Sequence, residues 1–110
     1  MTKTELRAEV RVSVSRRGAL NVGDNWFPCL VLDMSDNGLL IMSTRELALG
    51  QTLEFRCELF PEKMLECKIE VKHVGDAGAG AKITEIDEKG AKLCKLFLEE
   101  QYSSKLDRAV

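Results

Sequence analysis

The feature that most constrains the fold is a strict alternation of apolar and charged residues along residues 53–59 and again along residues 65–72. A period of two places the apolar side chains on one face of an extended strand and the charged ones on the other. Residues 60–63, Phe-Pro-Glu-Lys, separate the two runs and predict a hairpin connection. One register aligns the whole inner face, and its predicted pairs are Leu59 with Leu65, Cys57 with Cys67, Phe55 with Ile69, and Leu53 with Val71.

The rest of the chain adds four more predicted strands. They cover residues 12–22, 26–32, 38–42 and 81–86. Segments rich in Gly, Asp and Asn separate several of these runs, as expected for turns. Six strands joined mostly by short turns favour an all-β fold, either an antiparallel barrel or a sandwich.

The end of the chain changes from strand to helix periodicity. Asp87 is a predicted N-cap, and Leu93, Leu96 and Phe97 recur at helical spacing as one apolar stripe. We expect this C-terminal helix to pack on an open end of the barrel, because its stripe needs an apolar surface to cover.

Composition excludes several function classes. A length of 110 residues predicts one domain, and a net charge of −2 argues against a general DNA- or RNA-binding protein. No apolar run approaches the roughly 18 residues that membrane insertion requires, and the N-terminus lacks the apolar segment of a signal peptide. We therefore expect a cytoplasmic protein.

The cysteines do not predict a metal site. The four cysteines include no C-x-x-C pair, and the chain has one histidine, His73. We expect buried, reduced thiols. His73 follows the inward phase of its predicted strand, and no residues that would complete a catalytic triad are visible beside it. The sequence therefore predicts no metal or other cofactor and no enzyme.

Two short motifs carry the functional prediction. Arg7 and Arg11 form an R-x-x-x-R motif, and Asp33, Ser35 and Gly38 form a D-x-S-x-x-G motif after 21 intervening residues. An arginine can hold a phosphate, or the O6/N7 edge of guanine, through two parallel hydrogen bonds. A carboxylate accepts from the N–H donors of guanine, and a serine hydroxyl adds a further polar contact. Each motif alone is weak, since D-x-S-x-x-G is also an ordinary turn.

The order and spacing of these motifs resemble the PilZ domain family over roughly residues 5–100. The resemblance implies a six-stranded antiparallel β-barrel with a C-terminal helix, and a single domain over residues 1–110. In that domain, residues 1–12 would form a flexible arginine-bearing arm, residues 13–86 the barrel and residues 87–105 the helix.

The resemblance also implies a function. Family members are bacterial receptors for cyclic di-GMP that regulate motility, exopolysaccharide synthesis or biofilm formation. Carried over, Arg7 and Arg11 would contact phosphate and guanine, while Asp33, Ser35 and Gly38 would form the floor of the site. The expected partners are cyclic di-GMP and an unidentified effector protein. The alternative is a protein–protein adaptor of the same fold that does not bind nucleotide.

Overall fold

The computed structural model describes the backbone of residues 11–109 and the side chains of residues 11–103. Six strands are followed by one helix in this part of the chain. The strands are β1 (Val12–Val22), β2 (Asn25–Met34), β3 (Gly38–Ser43), β4 (Thr52–Phe60), β5 (Lys63–Gly75) and β6 (Gly78–Ile86), and the helix is α1 (Glu88–Ala109).

The strands close into a barrel in the order β1-β2-β3-β6-β5-β4, with every neighbouring pair antiparallel. Closure comes from the pairing of β1 with β4, where Gly18 lies opposite Cys57. Where β1 and β4 pair, closure removes the two free edges that an open sheet would present. The predicted six-stranded antiparallel barrel with a C-terminal helix is thus confirmed, and the sandwich alternative is wrong.

Inward-facing side chains fill the barrel. The largest fully buried ones are apolar and come from β1 to β5 and the helix; they include Leu20, Val31, Met34, Leu39, Ile41, Phe55, Leu59, Leu65, Ile69, Val71 and Phe97. Burial of this apolar surface is the main favourable term in folding. Strands β4 and β5 keep the predicted alternation, with buried and exposed or half-buried residues in turn.

The helix covers the barrel through Phe97. This ring is fully buried, meets Phe60 edge-to-face at 5.9 Å between centroids, and lies 5.2 Å beneath the guanidinium carbon of Arg16. Asp87 caps the first turn as predicted, since its Oδ1 accepts a hydrogen bond from the Gly90 backbone N–H at 2.7 Å.

The predicted apolar stripe of the helix is partly wrong. Leu96 is 58% exposed, whereas Cys94 and Leu98 are buried beside Phe97, and Leu93 lies at the margin of the core. Positions 94, 97 and 98 share one face at 3.6 residues per turn, and that face is rotated away from Leu96.

The predicted register of the β4–β5 hairpin is wrong by two residues. Cys57 lies opposite Leu65 and Phe55 opposite Cys67, because the connection is a two-residue turn in which Glu62 has φ 63°, accompanied by a bulge next to Phe60. A shift of two residues keeps every inward side chain inward, so the alternation alone could not reveal it.

His73 also departs from its predicted position. It is exposed, although it was expected to follow the inward phase of β5. The register between β5 and β6 shifts between Val71 and His73, and this irregularity ends the alternation that holds up to Val71.

Candidate functional site

Strand pairing brings the two sequence motifs together. Arg11 immediately precedes β1, and the pairing of Ser13 with Asp33 places the start of β1 beside the end of β2. Nη1 of Arg11 lies 2.7 Å from Oδ1 of Asp33, a charge-assisted hydrogen bond. The Arg11 side chain is 49% exposed and that of Asp33 is 24% exposed. Both charged groups are therefore at the surface, where a ligand can reach them.

Ser35 is inside the turn that follows Asp33. It is fully buried, and its Oγ accepts hydrogen bonds from the backbone N–H groups of Asn37 at 3.3 Å and Gly38 at 3.1 Å. Its own N–H donates to the Gly38 carbonyl at 2.9 Å. In this structure the hydroxyl shapes the turn rather than facing the surface, and its predicted contact with a ligand stays a prediction.

Gly38 lies where β3 and β6 approach closely. A Cβ at this position would lie 2.7 Å from the carbonyl oxygen of Ala81 and 3.8 Å from Nη2 of Arg11. Gly38 does not have a positive φ, so its backbone conformation does not require glycine. The absence of a side chain instead allows the strand contact and keeps the surface beside Arg11 open.

Arg11 borders two neighbouring cavities. One, of about 520 Å³, is lined with Asn37, Gly38, Lys72 and Lys82, and the other, of about 500 Å³, with Asp33 and the turn between β5 and β6. Both are also lined by His73 and Gly80. Together they form a surface that carries both cationic and carboxylate groups, which we call the Arg11 site.

Three cationic or titratable residues of this site were missed from the sequence: Lys72, His73 and Lys82. They reach it because β6 inserts between β3 and β5, which places Lys82 opposite Gly38 and His73 opposite Gly80. The order of strands in the barrel was the missing information, since neither lysine belongs to a motif. His73 was considered and assigned to the barrel interior.

The remaining predicted site residue, Arg7, lies outside the described residues, as does most of the predicted arm. The described part of the site therefore contains one of the two motif arginines. Arg11 is the residue through which the first motif meets the second.

Trp26 lies at the beginning of β2, whereas Asp33 is near its end. The Trp26 side chain is 38% exposed, and the guanidinium carbon of Arg56 lies 4.0 Å from its ring centroid. One face of the indole is thus already occupied, and its position is separate from the Arg11 site.

The cysteines offer little nucleophilic chemistry. All four are buried free thiols. Burial raises the pKa of Cys29, Cys57 and Cys94 to about 11 and that of Cys67 to about 12. Thiols with such pKa values carry almost no thiolate at neutral pH. Within residues 11–103 no three His, Cys, Asp or Glu side chains are grouped so that they could hold a metal ion.

Comparisons with known proteins agree with this fold. The described chain is a closed six-stranded barrel with a C-terminal helix, and an arginine lies beside its D-x-S-x-x-G turn. The sequence matches the PilZ domain family over residues 5–100. The chain therefore belongs to the PilZ domain family, whose members are receptors and adaptors.

Two solved structures illustrate the similarity. The Bacillus subtilis inhibitor of motility (MotI/DgrA) superposes with a TM-score of 0.72 at 14% identity, covering 94% of this chain and 53% of that one. The PilZ domain of CeSA from a cellulose-synthesizing bacterium superposes with a TM-score of 0.63 at 12% identity, covering 87% of this chain and 98% of that one. The chain thus spans about half of the MotI/DgrA chain. At these identities the similarity shows the fold alone.

No curated protein sequence matches the chain. Within the described residues, no helix combines the length and the apolar character needed to cross a membrane.

Proposed function

We propose that this chain is a bacterial, cytoplasmic receptor for cyclic di-GMP and that it acts by binding, without catalysing a reaction. The observation that best supports the proposal is the 2.7 Å contact between Arg11 and Asp33. It joins the arginine of one motif to the carboxylate of the other at the edge of two open cavities.

The chemistry of the pair suits this ligand. Asp33 engages one nitrogen of the Arg11 guanidinium, and a guanidinium carries further N–H donors that a ligand can use. Arginine binds phosphate oxygens or the guanine O6/N7 edge with paired hydrogen bonds. The carboxylate of Asp33 can accept from the N1–H and amino group of a guanine. Lys72 and Lys82 line the cavity beside Gly38 and add positive charge for the second phosphate.

The ligand would act as a switch. Arg7 and the residues around it would close over the bound nucleotide, and the altered surface would engage or release an effector protein. Motility, exopolysaccharide synthesis and biofilm formation are the processes that we expect such an effector to control.

The test is a calorimetric titration of the purified chain with cyclic di-GMP, using GTP and cyclic di-AMP as controls. Arg11→Ala should weaken binding at least about tenfold, because a hydrogen-bonded charged contact contributes roughly 1.5–3 kcal/mol. Arg11→Lys should fall between wild type and Arg11→Ala, since it keeps the charge and loses the planar fork. Arg56→Ala is the matched control, because that arginine stacks on Trp26 away from the site.

Asp33→Asn tests which base is read. The substitution should lower the affinity for cyclic di-GMP, because the carboxylate is the acceptor that the guanine N–H donors need. It should also reduce the ratio of the affinity for cyclic di-GMP to the affinity for cyclic di-AMP. Equal binding by wild type and Arg11→Ala would refute the site. Absence of binding by the wild-type chain would favour the adaptor of the same fold that does not bind nucleotide.

A further inference from the structure

His73 occupies a central position in the Arg11 site. It is exposed, and it lines both cavities that Arg11 borders. We infer that His73 contacts the bound nucleotide and couples its binding to the uptake of a proton, so that affinity rises as pH falls. The inference rests on the proposed function and adds to it a residue and a condition under which the site binds best.

The backbone around His73 fixes where its ring can lie. The ring packs along its own strand over Gly75, where a Cβ would lie 3.1 Å from the imidazole Cε1. Across the ladder, His73 pairs with Gly80, and a Cβ at Gly80 would lie 3.6 Å from the His73 Cβ. Neither glycine has a side chain to cover the ring. The imidazole therefore stays accessible from both cavities.

The charged groups that line the same cavities as His73 come from several neighbouring segments. Arg11 approaches from the segment before β1, Lys72 from β5 and Lys82 from β6, whereas Asp33 at the end of β2 and Asp76 in the β5–β6 turn supply negative charge. Lys72 is partly compensated, because its Nζ lies 3.4 Å from Oε1 of Glu70. Asp33 is likewise engaged by Arg11.

This arrangement makes the charge of His73 depend on what occupies the cavities. A phosphodiester placed among the same groups brings negative charge and favours the protonated ring. Ligand and proton then strengthen each other's binding, as thermodynamic linkage requires.

Histidine is the side chain that ordinarily changes its charge between about pH 5 and pH 8. The phosphodiester groups of the ligand keep their charge throughout that range. An added positive charge within about 6 Å of a phosphate at the protein surface corresponds to a change in affinity of roughly three- to tenfold. We therefore expect wild-type affinity for cyclic di-GMP to be about three- to tenfold higher near pH 6 than near pH 8.

The experiment is a calorimetric titration with cyclic di-GMP at both pH values, repeated in two buffers of different ionisation enthalpy. The buffer dependence reports the protons taken up on binding. Wild type should take up a fraction of one proton near neutral pH. His73→Gln should show almost no proton uptake and nearly equal affinity at both pH values. His73→Lys, with a permanent charge, should keep the high affinity at the higher pH.

Each outcome separates this inference from the proposed function. If His73→Gln retains the pH dependence and proton uptake of wild type, the inference fails. It also fails if wild-type binding does not change with pH while Arg11→Ala still weakens binding at least about tenfold, and the receptor proposal then stands. If wild type does not bind at either pH, both fail.

Discussion

Gly38→Ala gives the clearest test of why the second motif ends in glycine. The new Cβ would lie 2.7 Å from the Ala81 carbonyl oxygen, which is closer than carbon and oxygen atoms approach without strain. The obstructing oxygen belongs to the backbone of β6. This strand pairs with β3, and Gly38 of β3 lies opposite Lys82 of β6. The Ile83 N–H also donates to the Asn37 carbonyl at 2.7 Å, so β6 is tied to β3 next to the contact.

The cost of the substitution follows from this geometry. Forcing an extra methyl group into a packed position costs about 1–3 kcal/mol when the backbone must move. Replacing glycine by alanine returns about 0.4–1 kcal/mol by restricting the unfolded chain. The net loss should be about 1–2 kcal/mol, which for a domain of this size lowers Tm by roughly 4–10 °C.

The assay is thermal and urea unfolding of wild type, Gly38→Ala and the matched variant Gly80→Ala. Gly80 is also a strand residue of the site, but its added Cβ would meet nothing nearer than the His73 Cβ at 3.6 Å. Gly80→Ala should therefore leave the free energy of unfolding within about 1 kcal/mol of wild type. Equal stability of the two variants would show that the close approach of β3 to β6 does not explain the glycine.

Three further predictions concern other parts of the molecule. Asp87→Ala should cost about 1 kcal/mol of stability, and Asp87→Asn should recover most of it, because an amide oxygen can still cap Gly90; urea unfolding measures both. Asp33→Ala should change stability by less than about 1 kcal/mol, since its ion pair with Arg11 is partly exposed, and a larger loss would mean that the pair supports the fold. The four cysteines should resist alkylation in the folded chain and react after unfolding. Burial raises their pKa values from 9.0 to about 11 or 12. The buried neutral thiols therefore stabilise the fold fully below pH 9.0, and this contribution is lost as the pH rises to about 11. Measuring Tm as a function of pH tests this expectation.

The sequence predicted strands well wherever burial alternates cleanly. Charged outer faces and apolar inner faces along residues 53–59 and 65–72 were enough to locate a hairpin. They were not enough to set its register, because the alternation repeats every two residues and a two-residue shift satisfies it equally. The shift is set by the turn at Glu62, whose left-handed φ was not evident from the residue type.

The same limit explains the residues missed at the site. The proximity of Arg11 and Asp33 could be predicted because both belong to motifs and their strands are adjacent in the chain. Lys72 and Lys82 could not, because they join the site only once β6 lies between β3 and β5. His73 was assigned inward by extrapolating a period that the irregularity after Val71 interrupts. Local pattern carries no information on such bulges or on strand order.

The four motif residues within the described chain divide into two kinds. Ser35 and Gly38 satisfy needs of the backbone: a buried hydroxyl that accepts from turn N–H groups, and a close contact between strands. Both needs exist whether or not a nucleotide binds, so these residues indicate the fold. Arg11 and Asp33 present charged groups at the surface. A partly exposed ion pair ordinarily contributes less than about 1 kcal/mol to stability, so we expect that a chain could lose these two residues without unfolding. Retention of this pair is therefore the better criterion for separating a nucleotide receptor from an adaptor with the same barrel.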